Sequence, residues 1–359
     1  MKKPPTDPDF NRLLKVIYRQ GEPDRVPFIE LFADQEIIAA VTGEPLPAAA
    51  PDDRELRDRY LQRSIRFQYE LGYDYVAANV VVNFRFDWLK SEDTAELKRD
   101  QRTWINESDG VITSWEDFEA YPFPKPEEID YYNVEYLGKH LPDGMKIIFE
   151  GPGGVLENIM WLMGYEPFAL ALWDDPALVQ AVAEKVGGLL VNVFSTAVEM
   201  PNVGAVWLGD DMGFKTSTMI SVQHLRQYVF PWQKKLVDIA HAHGVPFLLH
   251  SCGNLEGVMD DLIDDVGIDG KHSFEDVILP VAQAKRRWGK RVAILGGVDM
   301  DFLTRRSEEE VRVYTRKILE ECAPGGGYAL GTGNTVANYI PVRNYLAMLD
   351  EGWNYGKYK

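Results

Sequence analysis

The sequence predicts a single (β/α)8 barrel, an α/β fold of one domain over residues 1–359. Eight short apolar runs, bounded by Gly, Pro or Asp, alternate with longer segments of helical periodicity. Eight strands in strict alternation with helices favour a closed barrel, because an open doubly wound sheet usually has fewer strands and often a Gly-rich first turn. The predicted strands are 25–32, 73–82, 145–151, 205–211, 245–253, 267–275, 291–297 and 326–333.

The helices between these strands have recognisable starts and ends. Residues 53–71 place apolar side chains on one helical face, and residues 174–200 open with Asp-Asp-Pro, a typical helix start. Residues 221–243 begin with a serine, and residues 308–322 end before a proline and three glycines. Glycine turns precede several strands, at Gly72, Gly144, Gly244 and Gly267.

One connection, residues 83–144, is far longer than a barrel connector needs. It is rich in aromatic side chains and contains the proline cluster YPFPKP. Segments inserted after a barrel strand emerge on the catalytic face, so this insertion after strand 2 is predicted to lie over the barrel mouth as a lid or wall. A packed excursion without a role at the site is the alternative.

Composition excludes several classes of function. The 359 residues carry a formal net charge of −18, which disfavours binding to nucleic acid or to an anionic membrane surface. No uninterrupted apolar run approaches the ~20 residues that span a bilayer. The N-terminus lacks the apolar core of a signal peptide, and the two cysteines, Cys252 and Cys322, provide no disulfide framework. A soluble cytoplasmic protein is expected.

Polar and ionisable side chains gather where the predicted strands end, which is where barrel enzymes carry out their chemistry. We expect most of them to line one pocket. The candidate catalytic residues are Asp211, Glu275 and Glu150, and the candidate substrate-binding residues are Glu30, Asn79, Asp210, His272, Asp299 and Asn334.

The stretch LLHSCGN holds the most specific pair, His250 and Cys252. At a spacing of i, i+2 on a strand both side chains point the same way, and together they can bind a borderline cation such as zinc. A carboxylate must complete the site, with Glu150, Asp211 and Glu275 as the candidates. A hydrogen-bonded histidine beside an unligated cysteine is the alternative. Cys322 ends a helix at the opposite face of the barrel and is expected to be a buried apolar residue.

These residues resemble the uroporphyrinogen decarboxylase superfamily, which also contains corrinoid-dependent methyltransferases. HSCG and, farther along, GGVD are specific to it, and the resemblance implies a (β/α)8 barrel. The matching stretches are GEPDRVPF (21–28), GPGGVLENIMWLMGYEPFALALWDDP (151–176), SVQHLRQYVFPWQKKLVDIAHAHGVPFLLHSCGN (221–254), KRRWGKRVAILGGVD (285–299) and NYLAMLDEG (344–352).

The decarboxylase branch of this superfamily binds a tetrapyrrole bearing eight carboxylates. It uses an arginine-containing loop after the first strand and an aspartate near the second. Here the corresponding loop reads IELFADQEI (29–37), without arginine, and the second strand ends AANVVVNF (77–84), without aspartate. An acidic pocket holds a polyanion at high electrostatic cost. The sequence therefore disfavours uroporphyrinogen as the substrate.

The methyltransferase branch implies zinc bound by His-x-Cys on the fifth strand and by a further cysteine in a turn after the eighth. His250 and Cys252 match the first two positions, whereas Thr332 stands where the third ligand would fall. Threonine is a poor zinc ligand, so either a carboxylate such as Glu150 or Glu275 replaces the cysteine or no zinc binds. The metal set predicted from the sequence is His250, Cys252 and Glu150.

We therefore expect an enzyme that transfers a methyl group between a small methylated substrate, or a thiol acceptor, and a corrinoid carried by a separate protein. A cationic methyl donor would suit the acidic ring and the aromatic insertion. A decarboxylase or lyase acting on another acid, with Asp211 or Glu275 as proton donor, is the first alternative. A non-catalytic small-molecule binder is the second. Family members include homodimers, so a dimer is expected.

Overall fold

The computed structural model describes residues 7–47, 53–95, 97–99 and 101–358, and its central feature is a curled, seven-stranded parallel sheet. The order in the sheet is β1-β4-β5-β6-β7-β8-β9, and a separate antiparallel hairpin is formed by β2 and β3. The strands are β1 Tyr75–Asn79, β2 Trp88–Ser91, β3 Arg102–Ile105, β4 Lys146–Glu150, β5 Val203–Gly209, β6 Phe247–His250, β7 Gly270–His272, β8 Ala293–Leu295 and β9 Tyr328–Ala329.

Helices separate the strands of the sheet, as the periodicity predicts, and the barrel-like α/β fold is confirmed. The helices are α1 Phe10–Ile17, α2 Gln35–Thr42, α3 Arg54–Leu71, α4 Trp115–Ala120, α5 Tyr132–His140, α6 Val155–Met163, α7 Tyr165–Asp174, α8 Pro176–Val198, α9 Val222–His224, α10 Phe230–Ala242, α11 Val281–Trp288, α12 Met300–Arg305, α13 Glu308–Cys322 and α14 Val342–Tyr355. Short turns of 3₁₀ helix lie at Pro126–Glu128 and Glu256–Val258, and π-helical turns lie at Leu225–Val229 and Asp261–Val266.

Local capping explains where the predicted helices begin. The carboxylate of Asp53 accepts from the backbone of Leu56 at the start of α3, and that of Asp175 accepts from Leu178 at the start of α8, where Pro176 takes the first position. The helix predicted over 174–200 is α8, which begins at Pro176 after its cap residue Asp175, whereas Asp174 ends α7. α9 continues through a π-helical turn into α10.

The first predicted strand, 25–32, forms isolated bridges rather than a ladder. Phe28 pairs with Leu330 and Ala33 pairs with Val336, both in parallel. On its other edge no backbone bridge to β1 occurs among the described residues. The hydroxyl of Tyr75 instead donates to the carbonyl oxygen of Glu30 at 2.6 Å and accepts from the Glu30 amide at 2.8 Å. The barrel is therefore closed by side chains at a seam between residues 25–33 and β1.

One helix of the described chain, α8, is long and apolar enough to cross a membrane by length and composition. Glu184 and Lys185 interrupt it, so it is not an uninterrupted apolar run. About half of its most apolar window, 56%, is buried. α8 packs against α6, α7, α10 and β5, which is the position of a core helix in a layered α/β fold.

The long connection 83–144 contains the β2–β3 hairpin, α4 and α5. α5 packs on α3, β1 and β4, so the final part of the range is the regular crossover helix of the barrel. The remainder contacts loops that follow the strands. Leu162 accepts from the backbone of Ile112, and Asn338 donates to Asp93 at 2.7 Å. Arg99 forms an ion pair of 2.6 Å with Asp34.

Candidate metal centre

Three side chains at the carboxyl ends of β5 and β6 form a compact cluster. The donor atoms of Asp211, His250 and Cys252 all lie within 4.8 Å of one another. Nε2 of His250 is 3.4 Å from Sγ of Cys252 and 3.6 Å from Oδ1 of Asp211. Among the described residues, this is the one group of three or more His, Cys, Asp or Glu side chains whose donor atoms lie close enough together to hold a metal ion.

Backbone contacts hold the loop after β5 against the loop after β6, and this brings the three side chains together. Gly253 has φ +85°, and a Cβ on it would lie 2.0 Å from the carbonyl oxygen of Gly213. The backbone of Asn254 donates to Phe214 at 2.7 Å. Only glycine permits this approach, which places the Cys252 amide 2.7 Å from the Asp211 carboxylate.

The spacing of the donors fits tetrahedral zinc. Zinc bonds of about 2.0 Å to nitrogen or oxygen and about 2.3 Å to sulfur place neighbouring ligand atoms about 3.3–3.6 Å apart. The two distances from His250 agree with this spacing. The side chain of Asp211 is 32% exposed, whereas that of His250 is 6% exposed. The cluster therefore offers three ligands and an open side toward solvent, which is typical of a catalytic rather than a structural zinc site.

A second histidine fixes which nitrogen of His250 faces the cluster. Nε2 of His272 lies 3.1 Å from the carbonyl oxygen of Thr332, which can only accept, so Nε2 carries the proton. Burial lowers the pKa of His272 well below its usual value and that of His250 to about 3, so both rings are neutral. Nδ1 of His272 must then accept from Nδ1 of His250 at 2.8 Å. Nε2 of His250 is left with a lone pair directed at the cluster.

Thr332, the residue at the family cysteine position, does not point toward the cluster. Its hydroxyl lies 2.6 Å from Oε2 of Glu30, and its amide donates to Oε1 of Glu30 at 2.9 Å. Burial raises the pKa of Glu30 to about 8. Thr332 thus orients His272 through its carbonyl group and binds Glu30 through its side chain, so the oxygen donor atom present in the cluster is that of Asp211.

Two donors approach the sulfur of Cys252 from the neighbouring strands. The Ser273 hydroxyl is 3.4 Å away and the Asn334 amide is 3.3 Å away. Ser273 has φ +82°, a strained conformation for serine that directs its side chain toward the sulfur. Burial raises the pKa of the Cys252 thiol, so these donors and a bound cation would act together to stabilise a thiolate.

A buried lysine lies behind the cluster. Nζ of Lys271 donates to the carbonyl oxygens of Ser251 at 2.9 Å and Ser273 at 3.1 Å, and also to that of His272. Burial lowers its pKa to about 8, although the negative groups at Cys252 and Asp211 favour its charge. It holds the ends of β6 and β7 together. Sequence reasoning missed Lys271, although a lysine inside an apolar strand is a recognisable signal.

Two of the candidate substrate-binding aspartates serve as helix caps. The carboxylate of Asp210 accepts from the backbone of Val155, Leu156 and Glu157 at the start of α6 and from Gln233 at 2.7 Å. The carboxylate of Asp299 accepts from Phe302 at the start of α12 and from the amide of Asp276. Both aspartates are buried at the strand ends, where they position neighbouring segments.

Glu150 and Asn79 lie apart from the cluster. They pair with each other in the β1–β4 register, and both line a cavity of about 340 Å³ beside α3. Burial raises the pKa of Glu150 to about 8, and its Oε1 has no hydrogen-bond partner. The donor group of the cluster consists of Asp211, His250 and Cys252, and Glu150 is not part of it.

Two further carboxylates lie near Asp211. Burial, together with the charges of Asp299 and Asp211, raises the pKa of Glu275. Burial and the charges of Asp211 and Asp210 raise the pKa of Glu157 well above its usual value. Glu157, at the start of α6, was missed from the sequence because it reads as an ordinary first-turn acid.

The sequence relationships of the chain agree with this architecture. Residues 107–354 match the family model described as uroporphyrinogen decarboxylase (URO-D). The chain belongs to the uroporphyrinogen decarboxylase family. One curated member, the uroporphyrinogen decarboxylase of Thioalkalivibrio sulfidiphilus, is 27% identical over 191 residues, which are 50% of each chain. That of Actinobacillus pleuropneumoniae is 23% identical over 251 residues, covering 66% of this chain and 67% of the relative. The chain thus spans only half of the first relative.

Two solved structures share the fold of this URO-D family member. A methyltransferase from Methanosarcina mazei superimposes with a TM-score of 0.67 at 16% identity, over 95% of this chain and 97% of the other. A putative vitamin-B12 independent methionine synthase from Listeria monocytogenes superimposes with a TM-score of 0.51 at 14% identity, over 92% and 96% of the two chains. At these identities the likeness establishes the common fold.

Proposed function

We propose that this URO-D family member is a metal-dependent methyltransferase acting between a small substrate and a corrinoid on a separate protein. The observation that carries the proposal is the cluster of Asp211, His250 and Cys252, in which the lone pair of Nε2 of His250 faces sulfur and oxygen donors. The loop 29–37 lacks the arginine that the resemblance associates with tetrapyrrole binding, which disfavours uroporphyrinogen as the substrate.

Zinc fits the three donors, and when bound it would supply a Lewis acid that lowers the pKa of a thiol or polarises a leaving heteroatom. The residues of the chain do the rest. His250 is held in one tautomer by His272, and Asp211 is held by the Cys252 amide. Asn334 and Ser273 donate to the sulfur of Cys252 and would stabilise the negative charge of its thiolate. The substrate would approach from the solvent side of Asp211.

One structural neighbour is named a methyltransferase and the other a putative vitamin-B12 independent methionine synthase, and the first name supports this reaction class. One of them is named as independent of vitamin B12, so the fold does not require a corrinoid. The corrinoid in our proposal therefore rests on the sequence resemblance alone. It would arrive on a partner protein at the open face of the cluster.

We further propose that the chain is one domain and that the part of the insertion before α5 covers the barrel mouth. It contacts residues that follow the first strand segment, β4 and β9, and these segments surround the carboxyl face of the sheet. The acidic character of the chain, with a net charge of −18, suits a cationic methyl donor. A cytoplasmic homodimer without affinity for nucleic acid or membrane completes the proposal.

The test combines metal analysis with a spectroscopic assay. Purified protein is loaded with zinc, and then free cobalamin in the cob(I)alamin state is mixed with it and with a panel of quaternary amines, aryl methyl ethers and methylated thiols. We expect about one zinc per chain, lost in His250→Ala, and growth of the methylcobalamin spectrum with one donor class. Absence of that spectrum across the panel would contradict methyl transfer to cobalamin.

A decarboxylase acting on another acid is the second candidate, because the curated relatives are named as decarboxylases. Glu275 would be its proton donor, since its raised pKa lets it hold a proton nearer neutral pH, with Asp211 beside it. Release of carbon dioxide from an acid substrate in a single turnover by the metal-free protein would favour this reaction, provided that the release is lost in Glu275→Gln. A chain that binds no metal and turns over no substrate would be a binder only.

A further inference from the structure

The seam between residues 25–33 and β1 opens into a cavity that has no part in the metal cluster. Its volume is about 340 Å³, at the lower end of small-molecule pockets. It extends along β1 and α3, and neither Asp211, His250 nor Cys252 lines it. Its apolar wall is formed by Phe32, Ile38, Leu61, Phe67, Val76 and Ala78.

Two buried acceptors in its lining have no partner. Oε1 of Gln68 and Oε1 of Glu150 make no hydrogen bond, and Gln68 is only 8% exposed. Gln68 belongs to α3, and Glu150 stands at the carboxyl end of β4. Buried acceptors in folded proteins nearly always have a donor, and a ligand with N–H groups in this cavity could supply one to each of the two.

The charges of the lining disfavour an anionic ligand. Arg57 is the one basic side chain among the lining residues, and it is already paired with Asp130 at 2.6 Å and Asn133 at 2.9 Å. Glu150 is the one acid. Tyr60 and Ser64, the two lining hydroxyls, donate to the backbone oxygens of Pro47 and Tyr60. The lining also contains the amides Gln35, Gln68 and Asn79, so its one ionisable group without a charged partner is the carboxyl group of Glu150, above an apolar wall.

We propose that this cavity binds a small alkylammonium ion, with N–H donors on Glu150 and Gln68 and its alkyl body against the apolar wall. The inference goes beyond methyl transfer and does not depend on it, because the cavity and the cluster share no residue. Burial raises the pKa of Glu150 to about 8, so binding of a cation near pH 7 would ionise this carboxyl group and release about one proton.

Isothermal titration calorimetry tests the proposal with three ligands of nearly equal shape: isobutylammonium, isobutanol and isobutyrate. We expect saturable binding of the ammonium ion, at least tenfold weaker binding of the alcohol and none of the carboxylate. The binding enthalpy should change with the ionisation enthalpy of the buffer, which reports the released proton. Equal affinity for the alcohol, or no saturable binding of methyl-, isobutyl- or benzylammonium, would overturn the proposal.

Variants locate the site. Glu150→Gln keeps the shape of the side chain and should weaken ammonium binding at least tenfold, whereas Glu309→Gln, the same change at an exposed position of α13, should leave it unchanged. Ser64→Leu fills the cavity from α3 and should block binding while Glu150 remains. His250→Ala should bind the ion as the wild type does. Unchanged affinity in Glu150→Gln, with a normal thermal unfolding temperature, would refute the assignment.

Discussion

Nδ1 of His250 lies 2.8 Å from Nδ1 of His272, and the proton between them belongs to His250. The direction follows from the carbonyl oxygen of Thr332, which requires a proton on the opposite nitrogen of His272. This contact makes His272 the residue that presents His250 to a metal. Residues that orient a ligand in this way are worth about 10–100-fold in metal affinity.

Replacement of His272 by phenylalanine should therefore weaken zinc binding by about 10–100-fold without removing a ligand. A planar ring is retained, but the acceptor for His250 is lost, so His250 can present a protonated Nε2 to the cluster. A competition titration with a chromophoric zinc chelator measures the change. His243→Phe, at an exposed position, serves as the control and should bind zinc as the wild type does. Wild-type affinity in His272→Phe would show that orientation of the ring contributes nothing.

The identity of the oxygen ligand can be decided by two isosteric changes. Asp211→Asn should weaken zinc binding by more than the ~10–100-fold typical of outer-shell changes, because it removes a charged ligand. Glu150→Gln should leave zinc affinity unchanged, because Glu150 is outside the cluster. Stoichiometry by mass spectrometry of the native protein and affinity by competition provide the readout. The reverse pattern would restore Glu150 as the ligand.

Restoring the family cysteine at position 332 should not improve zinc binding. The side chain at this position meets Glu30 rather than the cluster, so Thr332→Cys exchanges a hydrogen bond of 2.6 Å for a weaker one. A buried oxygen left without a good donor costs about 1–3 kcal/mol, and we expect a loss of that order in the free energy of unfolding. Urea unfolding and zinc titration of the same sample measure both. Tighter zinc binding in Thr332→Cys would mean that the side chain can turn toward Cys252.

Stability should fall as the pH rises toward 8. Burial raises the pKa of Glu30 to about 8, above the usual 4.5, so the folded protein holds a proton that the unfolded chain has lost. The contribution of this carboxyl group is full below about pH 4.5 and is lost as the pH rises through about 8. Glu30→Gln can keep both contacts with Thr332 and has no proton to lose. Between pH 5 and 8, we expect the free energy of unfolding to fall by a few kcal/mol less in Glu30→Gln than in the wild type. An unchanged slope, measured by chemical denaturation at several pH values, would place the proton elsewhere, for example on Glu150.

The sequence indicated the parts of the site that depend on local order. Alternation along a strand is sufficient to direct His250 and Cys252 the same way, and the strand-helix rhythm identifies the ends that carry them. Asp211 was among the candidate ligands for the same reason. The sequence also contains the signal that Asp299 caps α12, because an aspartate immediately before a helix commonly accepts from the first backbone amides of that helix.

The remaining features depend on contacts between distant segments. The choice of Asp211 over Glu150 follows from the contact of Gly213 with Gly253, for which neither loop has a local signal. The pairing of His250 with His272 follows from the register of β6 and β7. The open edge of the first strand segment could not be foreseen either, because an apolar run predicts a strand without indicating which of its edges will pair.

The bridge between Phe28 and Leu330 joins two segments about 300 residues apart. A ribosome must therefore add about 300 residues after Phe28 before the first barrel segment finds its neighbour. Glu30, Thr332 and His272 come together by the same event, because Thr332 follows β9 in the chain. A nascent chain that has reached Gly253 already carries His250 and Cys252, yet it lacks the His272 and Thr332 that orient the imidazole. The order of synthesis thus delays a properly oriented metal centre until the barrel itself is closed.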